Sequence, residues 1–339
     1  MKIERLLIVF LAAAVALASC KKDDDEASMT FGGSLAFDVP EYLAQNQTLT
    51  FTPGKISRSS DDKDLPEVNM YYKFTLGDQT DSIFNIDLSK QYKFSTIISA
   101  GAIGRYTLSV YAYAEHYSMS YYSTNIVVVD PVLNGRSLNG LDIDKDTPSF
   151  TDADGTKYYT VEICGKTWMK QNYAGSGYGV PYKSSPVLNA FVGKYYSWDE
   201  AQKACPEGWH LSTPEEWHEL AKAYSSDPEC PMDGDYQGMA GKLMVNARLN
   251  GESLWEYWPG VTITNASGLS ALPAGYANRS NVLRNKDFVD LGRYAAFWTS
   301  GEHGDSGDYR YIISDEYDDV KQGMADKDNF LASVRCVKD

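Results

Sequence analysis

Between residues 29 and 130 apolar positions alternate with polar ones in short runs. The runs are Ser34–Val39, Thr48–Phe51, Met70–Leu76, Ser82–Leu88, Gln91–Ile98, Arg105–Ala114 and Tyr121–Val129. A period of two in pieces this short, broken by turn residues, predicts the strands of an all-β sandwich. The clearest run is Gly104–Ala112: Tyr106, Leu108, Val110 and Ala112 fall on one face, and Thr107, Ser109 and Tyr111 on the other. Beyond residue 150 the pattern changes. Asp154-Gly155 separates a polar stretch from Lys157–Ile163, a hairpin signal. Ser197 with Glu200, and Thr213 with Pro214 and Glu216, have the spacing of helix starts in which the cap and the third helical residue bond each other's backbone. Trp217, Leu220, Ala221 and Tyr224 then recur at helical spacing and predict one buried face. After Gly234 the chain reads as long loops with short strands, ending in Leu331–Val337. Residues 131–150, with Pro131, Asn134-Gly135, Asn139-Gly140 and Pro148, read as a linker. Their alternating Asp142, Asp144 and Asp146 lack the Gly and Glu of a calcium loop and read as solvated.

The N-terminus is a different kind of segment. Lys2 and Arg5 precede an unbroken apolar run, Leu6–Leu17, which is too short to span a bilayer and right for a signal peptide over residues 1–19. Leu17-Ala18-Ser19-Cys20 resembles the lipobox of bacterial lipoproteins, so Cys20 is expected to become the lipidated, palmitate-bearing first residue. The charged stretch that follows makes residues 20–28 an acidic tether. It resembles the export tract of surface lipoproteins of the Bacteroidetes, which implies an outer-membrane protein facing the cell exterior; a plain spacer is the other reading. Asp81-Ser82-Ile83 fits a short O-glycosylation sequon of such exports, a pattern that carries little information.

Composition narrows the function classes. With 31 Lys and Arg against 46 Asp and Glu, the net charge is −15, which opposes binding to a phosphate backbone. Four His leave little for a multi-histidine metal site. The 25 Tyr and 7 Trp suit sheets and stacking surfaces. Among them Tyr111, Tyr113, Tyr117, Tyr121 and Tyr122 read as cross-strand pairs in preference to an exposed binding stripe. There is no Gly-rich phosphate loop, no nucleophile elbow and no metalloprotease spacing between His210 and His218. His210 reads as a satisfied structural group, and Glu215, Glu216 and Glu219 as first-turn helix carboxylates.

Two resemblances follow from particular residues. The strand pattern of Gly104–Ala112 resembles the penultimate strand of immunoglobulin-like and PKD-like modules; residues 29–130 hold no Cys, so no disulfide braces that sandwich. The second half resembles the Fibrobacter succinogenes major paralogous domain. The matching residues are Asp152–Gly155, Cys164–Met169 with Asn172, Tyr196–Ala201, Ala204–Trp217, Ser267–Gly275, Phe297–Ser300 and Ser333–Asp339. Cys164 and Leu269 depart from the family pattern. The resemblance implies an α+β, C-type lectin-like fold over residues 151–339, with its ends drawn together. It also implies an exported protein whose suggested role is adhesion or carbohydrate attachment.

Of five cysteines, four remain after lipidation, and three pairings are open to them. The lectin-like topology implies Cys205–Cys336, which leaves Cys164–Cys230 as a second bridge. A reactive or copper-binding cysteine pair, as in formylglycine-generating enzymes of related fold, lacks its catalytic pattern here. The calcium-binding tripeptides of sugar-binding C-type lectins are absent as well.

Two loop regions are candidates for binding. Glu302, Asp305 and Asp308 form an oxygen-rich loop that reads first as a solvated acidic turn and second as a place for a calcium ion; Asp315, Glu316, Asp318 and Asp319 read the same way. Trp255, Tyr257 and Trp258 bring three rings within four positions; they either fill the loop core or stack on a sugar, with Arg279 at hand for hydroxyls. Tyr257 is expected to be the most exposed. The sum is a non-enzymatic, membrane-anchored binding or adhesion protein for a glycan or a surface protein, with no nucleic-acid partner and no obligatory cofactor. The alternatives are a component of a surface appendage and a polysaccharide-acting enzyme.

Overall fold

A computed structural model of the chain describes residues 29–58, 68–77, 86–90, 96–130, 138–139, 146–279, 288–314 and 317–339. The expected signal peptide, Cys20 and the expected tether, the sequon-like Asp81–Ile83, Asp142 and Asp144, and Asp315 and Glu316 lie outside the described residues.

In the first half a five-stranded sheet runs in the order 42–44, 120–129, 104–113, 69–76, 86–90. Strand Tyr42–Ala44 joins it in parallel and the other pairings are antiparallel. The predicted inner positions Tyr106, Leu108, Val110 and Ala112 are all buried, together with Met70, Tyr72 and Phe74 on the next strand. Two small ladders lie beside this sheet, Phe31–Gly33 with Ile56–Arg58 and Leu49–Phe51 with Thr96–Ile98. The expected strand Ser34–Val39 is not one. Leu35 and Phe37 are buried as the alternation demands, but the backbone bonds to Lys55 and Gly54 without a ladder. Gly54 makes that approach possible, because a Cβ there would lie 2.3 Å from the Ser34 carbonyl oxygen. Alternation chooses which side chains go inside; a ladder also needs a free neighbouring edge.

On the outer face Tyr71, Tyr111 and Tyr121 sit directly opposite one another across three strands. Their rings stack with centroids 4.7 and 6.0 Å apart. Stacked this way the faces cover each other, as expected of cross-strand pairs. Tyr117 stacks on Phe31 and Tyr122 meets Phe37 edge-on, so neither belongs to an outer stripe. Tyr113 and Tyr121 are exposed.

The second half is built around another five-stranded sheet, in the order 149–151, 157–163, 166–169, 336–338, 209–211. Its last strand lies between early ones, so the ends of the region meet. Strand Ser149–Thr151 begins within the expected linker, and Leu138–Asn139 pairs with the hairpin Arg248–Leu249/Glu252–Ser253. The linker is therefore partly folded, because its backbone finds sheet edges to bond. Both helix starts form as predicted, Trp198–Ala204 and Pro214–Tyr224, each with its reciprocal cap. Trp217, Leu220 and Ala221 are buried, and Trp217 meets Trp168 edge-on. The expected terminal strand divides into Phe330–Leu331 and Cys336–Lys338, and these belong to different sheets.

Two features tie the irregular parts together. Cys205 and Cys336 form a disulfide between the first of these helices and the last strand, across 131 residues. Arg335 is fully buried; it donates to Asn172 Oδ1 and to the carbonyls of Met169, Leu269 and Ser270 at 2.7–2.9 Å. Burial pulls its pKa down to about 9, which still leaves the guanidinium charged at neutral pH. The second bridge is not formed. Cys164 is exposed, with its thiol donating to the Glu219 carbonyl, whereas Cys230 is buried where His218 bonds its carbonyl beyond the helix end. The Cys164 thiol is engaged at Glu219, and the Cys230 thiol lies by Ser225 at the C-terminal end of helix Pro214–Tyr224.

The two halves touch through the Glu41–Lys183 and Arg105–Glu252 ion pairs, and Asn250 Nδ2 donates to the Val128 carbonyl at 3.0 Å. A cleft of about 410 Å³ lies between them.

Candidate functional site

The segment Leu254–Gly260 is held from beneath. Leu254 N–H bonds Ala247 and Glu256 N–H bonds Gly292 through backbone carbonyls. Trp255 is buried, with its indole N–H donating to the Ala271 carbonyl at 3.0 Å. It is therefore part of the loop core and not a sugar platform: a large apolar ring whose one polar atom has an internal partner gains by burial. Tyr257 is 88% exposed and Trp258 39%. The backbone at Gly260 runs against the Trp258 ring so closely that a Cβ there would meet Nε1 at 2.9 Å, which fixes the ring's orientation.

Trp255, Tyr257 and Trp258 line a groove of about 360 Å³ together with Glu256 and Ser314. The Ser314 hydroxyl is buried there and has no hydrogen-bond partner among the described residues. A buried hydroxyl without a partner is unfavourable by roughly 1–3 kcal/mol, so it favours a ligand that bonds it. Glu256 carries the groove's charge and pairs with Arg293 at 3.4 Å. Arg279 does not join the groove. It pairs with Glu200 at 2.9 Å, and its N–H bonds the Asn329 carbonyl. Sequence reasoning placed a guanidinium here but chose the wrong arginine, since Arg293 is remote in sequence from the Trp loop. Ser314 offered no signal at all.

The expected cation loop does not assemble. Asp308 turns inward and makes a buried ion pair with Arg310 at 2.8 Å, supported by Thr299 and Gln322. Glu302 pairs with Lys327, and Asp305 is exposed at the turn. Glu302 faces Gly307 across the hairpin, so Asp308, the next residue on that strand, falls on the opposite face. Asp318 and Asp319 accept backbone N–H groups of Gly241 and Gly238 and act as loop clamps. No group of three or more His, Cys, Asp or Glu side chains suited to a metal ion exists among the described residues.

His210 is structural. Its ring bonds Glu216 at 3.0 Å and the terminal residue Asp339 at 2.7 Å. Burial opposes its charge, but the hydrogen bonds to Asp339 and Glu216 outweigh that and raise its pKa. Cys164 lines the neighbouring pocket. Burial and the Glu219 carboxylate raise its pKa, the direction opposite to thiolate activation.

The Fibrobacter succinogenes major domain matches residues 161–338, more than half of the chain. The chain belongs to this family. As a Fibrobacter succinogenes major domain, the second half contributes both the Trp258 groove and the Arg335 network. No curated protein matches the chain. Among solved structures, superoxide reductase (neelaredoxin) from Ignicoccus hospitalis is similar at 12% identity with a TM-score of 0.22, over 34% of this chain and 86% of that one. Adhesin InvE of Yersinia pseudotuberculosis is similar at 12% identity with a TM-score of 0.24, over 92% and 70%. Neither likeness is close enough to transfer a fold or an activity.

Proposed function

We propose that this protein is a lipid-anchored outer-membrane lipoprotein, facing the cell exterior, that binds glycan without turning it over. In this reading Cys20 carries the lipid, residues 29–130 form an immunoglobulin-like support, and the C-type lectin-like second half presents the binding groove. The observation that carries the proposal is the part-exposed Trp258 ring, packed close to Gly260 at a groove where the buried Ser314 hydroxyl has no partner among the described residues. Sugars offer an apolar C–H face for such a ring and hydroxyls for such an oxygen. Retaining and inverting glycosidases need two carboxylates across the scissile bond. Among the described residues this groove is lined by one, Glu256, and Arg293 pairs with it. That supports binding over hydrolysis.

The test is a glycan array with the full chain. Trp258→Ala is expected to reduce binding at least tenfold with thermal stability unchanged. An unchanged array profile for that variant overturns the proposal. For the anchor, incorporation of labelled palmitate is expected to vanish in Cys20→Ala.

A further inference from the structure

A second cavity, of about 390 Å³, is walled by Tyr276, Tyr294, Tyr309 and Phe330, with Asp290 and Arg293 at its edge. Its rings come from four different strands, a rigid setting that sequence periodicity does not bring together. Ring centroids lie 4.9–5.2 Å apart along Tyr309–Phe330, Phe330–Tyr276 and Tyr276–Tyr294. Tyr276 and Tyr309 each lie within 40° of the Phe330 plane. Rings this close leave no hollow for a cation between them, so they form a wall and not a cage. Tyr276, Tyr309 and Phe330 are all partly exposed.

The polar groups are also placed. The Tyr294 and Tyr309 hydroxyls bond each other. Asp290 is exposed in a left-handed turn at φ 59° and stands close enough to Tyr276 to raise its pKa, after burial. Arg293 is oriented by Glu256. An apolar wall beside a carboxylate acceptor and hydroxyl donors matches the two sides of a pyranose, and the volume is at the small end of ligand sites, suited to one ring. The net charge of −15 disfavours an acidic sugar. Ile313 lines this cavity and Ser314 the Trp258 groove, so the two flank the end of one strand on different sides.

We infer that the Tyr276–Tyr309–Phe330 wall is a second carbohydrate site, which takes an uncharged pyranose and makes the protein divalent. This goes beyond the Trp258 reading and does not depend on it.

The test is titration of the full chain, by calorimetry and saturation-transfer NMR, with the methyl glycosides of glucose, galactose, mannose and N-acetylglucosamine. The expected result is two equivalents of at least one glycoside per chain. Tyr276→Ala should leave one, and Trp258→Ala combined with it none. Asp290→Asn, at an exposed turn that tolerates Asn, should weaken one site about ten- to a hundredfold without affecting folding. A single equivalent that disappears with Trp258→Ala alone overturns the second site and leaves the groove reading intact. A single equivalent that survives Trp258→Ala but is lost in Tyr276→Ala and weakened in Asp290→Asn overturns the groove and keeps the wall. No binding of any of the four glycosides overturns both.

Discussion

The two halves of this chain hold their shape by different means. In the first, one broad sheet with alternating burial does most of the work: Tyr106, Leu108, Val110 and Ala112 go inside, and stacked tyrosines occupy the outer face. In the second, short strands and long loops are tied by a disulfide and by a buried arginine that reaches four oxygens on separate segments. A regular sheet satisfies its own backbone, whereas irregular loops expose carbonyls that some side chain must satisfy. That contrast also explains why both candidate sugar sites lie in the second half. Loops fixed from beneath can present rings such as Trp258 without burying them, and short strands from different sheets can leave the ring wall of Tyr276, Tyr309 and Phe330 partly open.

The contrast can be broken most severely at the disulfide. Cys205→Ser with Cys336→Ser is expected to lower stability by about 5 kcal/mol, since the closed loop spans 131 residues. Hydrogen exchange should show protection lost in the second half and retained in the strand Gly104–Tyr113. Arg335→Met comes next, at about 3–5 kcal/mol, because it strands three backbone carbonyls and the Asn172 amide oxygen. Urea denaturation checks the size, and equal loss of protection in both halves would show that the two are not separate systems. On the sheet side, Tyr111→Ala removes the middle of a three-ring stack and should destabilise by only about 1 kcal/mol.

The smallest effect is a pH dependence in the second half. His210 has a raised pKa in the folded protein, so its contribution is complete below about pH 6.5 and is lost as pH rises through the folded value. The ring is about a third exposed, so solvent screening keeps the effect under about 1 kcal/mol. Melting temperatures at pH 6 and pH 8.5 should therefore differ slightly more for the native chain than for His210→Gln. An identical difference in both would remove His210 as the cause.

Much of the fold could be read before any coordinates. The strand faces around Gly104–Ala112, the caps at Ser197 and Thr213 and the turn at Asp154-Gly155 all rest on contacts within a few residues, and these write themselves into local spacing. The family match rests on longer strings of the same kind. The sites were less legible. Tyr257 could be picked out as the exposed ring of the loop, yet nothing local distinguished Trp258 from Trp255, whose indole N–H finds Ala271. Asp308 looked like its neighbours Glu302 and Asp305 until Arg310 claimed it.

Sequence alone determined the alternating strands, the two capped helices, the acidic charge and the membership of the second half in its family. Each follows from residue type and short spacing, where backbone geometry leaves few choices. Tertiary structure alone decided that Arg293 and not Arg279 stands by the tryptophan loop, that Ser314 lines its groove, and that rings from four strands make one wall. Those groups are brought together by chain segments far apart in sequence, and only the packing of the whole chain sets the distance between them.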